Sequence, residues 1–180
     1  MAARGRPRSI SADQAIAAAT VELLADTGFS GLKIERVADR AGVGKTTIYR
    51  RWPTKAELVV AALDLYDEHY EVPDTADVRA DALAVLRHGL EHLKASFGRI
   101  EATLLAEAAF HPGLADALRG AVERSRAPLR TVLARIGRED DVDLLWGPIY
   151  YRVLSSVVDA AVVPADYAEH VLDRIWPTLT

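Results

Sequence analysis

The stretch Gly42-Val43-Gly44-Lys45-Thr46-Thr47 sets glycines, a lysine and two hydroxyls side by side, a composition that suits either a phosphate cradle or the turn of a helix-turn-helix. A phosphate-binding loop of the form G-x-x-x-x-G-K-[ST] follows a strand and opens a helix, so that backbone amides surround the phosphates. Gly44, Lys45 and Thr46 fill its last three positions. The first glycine, however, would fall at Asp39, an anion where phosphate must approach, and the preceding segment KIERVADRAG has helical periodicity. A P-loop enzyme is therefore disfavoured by residues and by context.

The helix-turn-helix reading asks for a small residue on the first helix, a glycine in the turn and an apolar anchor on the second helix. Ala38, Gly42 and Ile48 stand at that spacing, with Val37, Val43 and Trp52 available to close a small core. The second helix then presents Lys45, Thr46, Thr47, Tyr49, Arg50 and Arg51 toward solvent or a groove. That surface is basic, hydroxylated and aromatic, as a major-groove reader requires. Ahead of it, Arg4-Gly5-Arg6-Pro7 resembles the core of an AT-hook, in which arginines enter a narrow A·T minor groove. The same residues also fit a disordered basic tail with salt-sensitive, non-specific attraction, and the sequence supports the two readings equally.

A third constellation, His88-Gly-Leu-Glu-His92, matches the inverted zincin pattern H-x-x-E-H. On a helix His88 and His92 share a face, but catalytic zinc needs a third protein ligand and an open position, for which only Glu169 and His170 offer themselves. Histidines of a core or pocket are the favoured reading. Ser155 and Ser156 have no recognisable His-Asp partners, so neither a catalytic residue, a metal nor a cofactor is expected.

The elements that must position these residues read as all-α, since nearly every segment has helical periodicity and none is patterned like a strand. Ser11 and Gln14 have capping-box spacing and predict the start of a first helix, buried through Ile16, Ala19, Leu23 and Leu24 and ended by Gly28. A second helix carries Ile34, Val37, Ala38 and Ala41 and stops at Gly42; a third covers Lys45 to Arg51. Thr54 and Glu57 form another capping box behind Pro53, opening a fourth helix predicted to reach Glu71 as a rod of about 27 Å. VPDTAD is a linker, followed by helices near 75–96, 99–109, 113–136, 141–160 and 164–177, with Gly147-Pro148 expected to kink the penultimate one.

Half of the 180 residues are hydrophobic and cysteine is absent, which allows a sizeable core and excludes disulfides and cysteine-zinc sites. The net charge of -4 conceals an asymmetry: residues 1–60 hold ten lysines and arginines against six acids, the remainder twelve against twenty. A basic end on an acidic body points to an anionic partner for the first 60 residues alone. The start has the charge of a signal n-region without its apolar segment, and no apolar run approaches the ~20 residues of a membrane span, so a cytoplasmic location is expected.

Residues 9–63, above all GFSGLKIERVADRAGVGKTTIYRRWPTKAELVVAAL, resemble the N-terminal DNA-binding domain of TetR-family transcriptional regulators. The family pattern A-G-V-x-x-x-x-[IL]-Y-x-x-[FW]-x-x-K is met by Ala41, Gly42, Val43, Ile48, Tyr49, Trp52 and Lys55. The resemblance implies a three-helix DNA-binding domain over 1–53, a connecting helix over 54–72 and a helical effector-binding and dimerisation domain over 73–180. It puts Lys45 and Thr46 near base edges and Thr47, Tyr49, Arg51 and Lys55 on phosphates. Two positions depart from the family: Lys33 and Gly44 stand where capping hydroxyls are usual, and Lys33 would contribute a phosphate contact instead.

The resemblance further implies a small-molecule effector in a cavity lined by side chains such as Tyr66, His69, Tyr70, His88, His92, Phe110, His111, Trp146, Tyr150 and Tyr151, for each of which a plain core role is the competing reading. It implies a homodimer formed by the last two helices, whose Leu144, Leu145, Ile149, Val153, Leu154, Val157, Val158, Val171, Leu172, Ile175 and Trp176 carry more apolar surface than one layer buries alone. The function expected is a ligand-responsive repressor on a palindromic operator of double-stranded DNA. A constitutive architectural DNA-binding protein is the alternative, with a P-loop or zinc enzyme far behind.

Overall fold

The computed structural model describes residues 7–66, 70–94, 98–159 and 161–179, the side chains of 7–10, 66 and 157–159 excepted. Arg4, Arg6, His69 and the side chain of Tyr66 thus lie outside the described residues. Every regular element among those described is helical: α1 (Pro7–Gly31), α2 (Ile34–Ala41), α3 (Lys45–Arg51), α4 (Lys55–Tyr66), α5 (Val78–His92), α6 (Gly98–Ala108), α7 (Pro112–Ala134), α8 (Val142–Asp159) and α9 (Tyr167–Ile175). The chain divides into two compact units, one of residues 1–69 and 103–121, the other of 70–102 and 122–180.

In the first unit α1 packs on α2 and α4. It is already helical ahead of Ser11, from the first described residue, so the Ser11–Gln14 spacing does not mark its start. Ile16, Ala19, Leu23 and Leu24 are buried as their spacing requires. Thr20 is buried among them, and its hydroxyl is paired by donating to the Ile16 carbonyl at 2.7 Å.

Gly28 breaks the helix with φ 65° and ψ 178°, a region that only glycine enters readily. The turn restarting at Phe29 exposes fresh amides, and the Glu107 carboxylate accepts them, from Phe29 at 3.0 Å and from Ser30 at 2.8 Å, with the Ser30 hydroxyl at 2.5 Å. A Cβ at residue 28 would lie 2.9 Å from Glu107 Oε1. Burial raises the Glu107 carboxyl, but the bonds from Ser30 and Phe29 and the nearby His111 outweigh it and hold the group below the usual glutamate range.

α4 opens with a reciprocal capping box: the Glu57 amide donates to Thr54 Oγ1 at 3.1 Å and the Thr54 amide to Glu57 Oε2 at 3.4 Å. Its described length is 12 residues, or about 18 Å, rather than a rod reaching Glu71. Tyr70 and Glu71 are not helical. Pro73 disfavours helical torsions at Val72.

The second unit is built on α5, α8 and α9, which pack mutually over Leu86, Leu90, Leu133, Leu145, Ile149 and Leu172. Trp146 lies against the backbone of Gly89, where a Cβ would come within 2.1 Å of the ring. Part of the apolar surface expected at a dimer interface is spent here: Leu145, Ile149, Val153, Val171 and Leu172 are buried inside their own unit. α8 runs through Pro148 from Val142 to Asp159, and α7 likewise through Pro128. α9 is shorter than predicted, starting only at Tyr167 and giving way after Ile175 to a 3-10 turn over Trp176–Thr178.

α5 starts at Val78 rather than 75, with Asp77 accepting the Ala80 amide at 2.9 Å as its cap. Thr75 instead folds onto Asp81, donating from amide and hydroxyl at 2.8 Å each, and Arg135 donates to the same carboxylate at 2.6 Å. Asp81 is only 2% exposed, so these bonds are what make its burial tolerable. Burial alone would raise its carboxyl, yet Arg135 and Thr75 hold it below the usual aspartate range. A depressed pKa stabilises the fold fully above the unfolded value and the benefit is lost as pH falls through the folded one. Wild-type protein should therefore exceed Asp81→Asn in stability at neutral pH by a margin that shrinks once pH drops below 3.8, the ordinary aspartate value. Urea unfolding at a series of pH values reads this; a margin constant from neutral pH to about pH 2.5 would refute the assignment.

Candidate nucleic-acid interface

The turn between α2 and α3 fixes the reading surface. Gly42 adopts the left-handed conformation at φ 66°, ψ 32°. The Val43 amide then returns to the Ala38 carbonyl at 3.0 Å and the Gly42 amide to Asp39 at 3.3 Å, a Schellman pair that satisfies the end of α2. A Cβ at residue 42 would meet nothing within 4 Å, so the demand for glycine is torsional rather than steric. Ile48, with no exposed surface, then pins α3 to the core beside Val37 and Ala38.

With Ile48 inward, Lys45, Thr46, Tyr49 and Arg50 are exposed and Thr47 is half-buried. Two cations that the resemblance puts on phosphates have partners within the protein. Arg51 turns toward α1 and pairs with Asp13. Lys55 donates through Nζ to the Phe29 carbonyl at 2.7 Å and to Leu32 at 3.4 Å, with its ammonium 4.3 Å above the Phe29 ring. Burial lowers the Lys55 ammonium, against a smaller opposing effect of Glu107. Lys45 is tethered as well, 3.0 Å from Glu35 Oε1. Neither α2 nor α3 has a side-chain cap, since Lys33 and Gly44 occupy those positions.

The residues expected at an effector cavity fall into separate groups. Phe110 and His111 belong to the first unit, Phe110 being 82% exposed and His111 packing on Phe29 at 5.5 Å with Nε2 3.3 Å from Ser30 Oγ. An open cleft there is lined by Phe29, Lys55, Glu57, His111, Leu114 and Ala117. In the second unit Tyr70 stacks on His88 at 4.0 Å, and Trp146 is core. His92 and Tyr150 converge on Glu101, at 4.0 and 3.0 Å. Burial, and then Glu101, push the Tyr150 phenol up, so it remains a donor. His88 and His92 therefore have different partners, and no group of three metal-ligating side chains is present among the described residues. Sequence reasoning missed Glu101, Glu107, Glu35 and Asp13, each a carboxylate whose partner is remote or across a turn. An acid on an otherwise apolar helical face, as Glu101 is beside Ile100 and Leu104, was the available signal.

The profile of bacterial regulatory proteins of the tetR family matches residues 16–62, and that of the tetracyclin repressor-like C-terminal domain matches residues 72–175. An HTH-type transcriptional regulator of Mycobacterium tuberculosis is 31% identical over 176 residues, 91% of this chain and 85% of its own. The chain belongs to the TetR family of transcriptional regulators. A DNA-binding transcriptional repressor TetR of Mycobacteroides abscessus is 42% identical over 88 residues, 48% of this chain and 44% of its own. A crystal structure of a transcriptional regulator from Rhodococcus sp. Rha1 superposes with a TM-score of 0.70 at 26% identity, covering 93% and 95% of the two chains. As a TetR-family member the protein is a helix-turn-helix DNA-binding regulator of a family whose members are typically ligand-responsive repressors acting as dimers. No described helix is long and apolar enough to cross a membrane.

The uncapped start of α2 is a measurable departure from good helix design. Lys33 has φ -114° and ψ 127°, the extended torsions of an N-cap, and its carbonyl already accepts the Val37 amide at 3.2 Å. Lys33→Ser should add a hydroxyl acceptor for a first-turn amide and raise unfolding stability by about 1 kcal/mol. Urea titration of the variant beside the wild type measures it, and no gain would show that the cap position is misread.

Proposed function

We propose that α3 enters the major groove of an operator, with Lys45 and Thr46 at base edges and Thr47, Tyr49 and Arg50 on the flanking phosphates. The observation that carries this is the exposure of these side chains on a helix whose opposite face is pinned by fully buried Ile48. Arg51 and Lys55, engaged with Asp13 and with the Phe29 and Leu32 carbonyls, act as positioning residues for the reading head. Arg4 and Arg6 extend the contact into the minor groove, and Lys33 adds a phosphate contact. Wild-type protein can select its own sequence from a randomised duplex library. Lys45→Ala should bind that selected duplex about tenfold or more weakly and discriminate less against random sequence, read by fluorescence anisotropy. A Lys45→Ala, Tyr49→Ala variant that selects the same sequence with unchanged affinity would remove α3 from the interface.

The regulator acts as a ligand-responsive repressor. The repressor name of the Mycobacteroides abscessus relative supports the sign of regulation. Support for an effector site in the second unit comes from the part-buried polar group of His92, Glu101 and Tyr150 beside an otherwise apolar core. An effector that weakens operator binding must itself bind more weakly when operator is present.

The active species is a homodimer on a palindromic site, its reading helices about 34–36 Å apart. Support for the interface is the outer face of α8, where Leu144 and Tyr151, seven residues apart, are 49% and 73% exposed. Two copies of such a face meet about a two-fold axis. Wild-type protein should sediment as a dimer at micromolar concentration and Leu144→Glu, Tyr151→Glu as a monomer with unchanged helicity. A dimer that survives both charges would place the interface elsewhere.

A further inference from the structure

Around the helix-turn-helix of the first unit, Lys45 pairs with Glu35 at 3.0 Å, Arg40 with Glu22 at 2.5 Å, and Arg51 with Asp13. The Arg51 pair is the more enclosed, its partners 24% and 31% exposed, and serves packing. The other two are open to solvent, with Lys45 and Glu35 at 53% and 57% and Arg40 and Glu22 at 61% and 54%. Exposed pairs contribute little to stability, so stability does not explain an acid beside the first residue of the reading helix.

Glu35 lies in the first turn of α2, where the amide end of the helix favours a carboxylate. Its own backbone amide, and then Lys45, hold the carboxyl below the usual range, and the Glu35 bond raises the Lys45 ammonium in turn. Both groups are therefore charged at neutral pH. A carboxylate 3.0 Å from Lys45 has two effects on an approaching duplex. It offsets the charge that would draw Lys45 to any phosphate, and it repels phosphate itself. Only a duplex that offers Lys45 a well-placed base-edge acceptor, such as guanine O6 and N7, compensates for the loss of the internal partner.

We propose that Glu35 sets the specificity of the DNA interface, holding Lys45 at the start of α3 and penalising sequence-independent binding. The inference rests on the reading of α3 as the groove-entering helix. Glu35 accordingly discriminates by disfavouring the wrong duplexes more than by attracting the right one.

The test uses full-length wild type, Glu35→Gln, Glu22→Gln, Lys45→Ala and Glu35→Gln, Lys45→Ala. Each is titrated with the duplex selected by wild type and with a random-sequence duplex, over a range of salt. Glu35→Gln should tighten the random duplex roughly fivefold to tenfold at about 0.1 M salt and steepen its log–log salt slope by about 0.9, with a smaller gain on the selected duplex. Selectivity thus falls. Glu22→Gln changes the net charge equally without touching Lys45 and should leave the selectivity ratio unchanged. In the Lys45→Ala background the Glu35 effect on that ratio should vanish. Equal effects of Glu35→Gln on both duplexes, an equal loss of selectivity in Glu22→Gln, or an effect on the selectivity ratio that persists without Lys45 would overturn the role of Glu35 alone. If Lys45→Ala itself changes neither duplex, the groove assignment of α3 fails and takes this inference with it. Melting curves that match wild type show that the exposed substitutions leave the fold intact.

Discussion

The reading head depends on one turn. α3 has seven residues, too few to hold a helix in water by itself, so its direction must come from outside. The left-handed torsion of Gly42 and the return of the Val43 amide to Ala38 supply that direction, and burial of Ile48 keeps it. Lys45, Thr46 and Tyr49 are brought to one surface only as a consequence. A residue with a β-carbon at position 42 would meet no obstacle, yet it would resist the torsion, and the whole basic face would be aimed differently.

Charge in this head is used in two ways. The excess of lysine and arginine over acid in the first 60 residues made an anionic partner the natural reading. The cations nevertheless divide between surface and scaffold: Arg50 is exposed, whereas Lys55 donates to the Phe29 and Leu32 carbonyls and Arg51 is drawn to Asp13. Lysine and arginine suit such dual use because a long apolar stem can lie on a core while the charged tip seeks any oxygen within reach. Counting charges along a sequence cannot separate the two uses, since the deciding partner is set by packing.

What was legible in the sequence is what local geometry decides. The bounds of α2 and α3 and the Thr54–Glu57 box follow from residues within a few positions of one another. The start of α1 was misjudged because the Ser11–Gln14 capping spacing lies inside a helix that already covers it, and the length of α4 because helical periodicity outlasts the helix. The pairings that organise the candidate sites span far more of the chain: 78 residues separate Phe29 from Glu107, 54 separate Arg135 from Asp81 and 49 separate Tyr150 from Glu101. Periodicity places each of these residues on a face but does not say which other face it meets. Membership of the TetR family was legible because the pattern around Gly42, Ile48 and Tyr49 is itself short.

The carboxylate of Glu107 gives the chain an uneven modularity. A fragment ending at residue 69 contains every helix of the DNA-reading motif yet omits the group that accepts the amides after Gly28 and the hydroxyl of Ser30. Those donors would turn to water, and the hinge at Gly28 would lose its fixed partner. The smallest portable head is therefore discontinuous along the chain. A chimera that grafts this head onto another regulator's body inherits a mismatch unless the stretch 103–121 travels with it, so shuffling of such heads is constrained by a segment far downstream of the motif it supports.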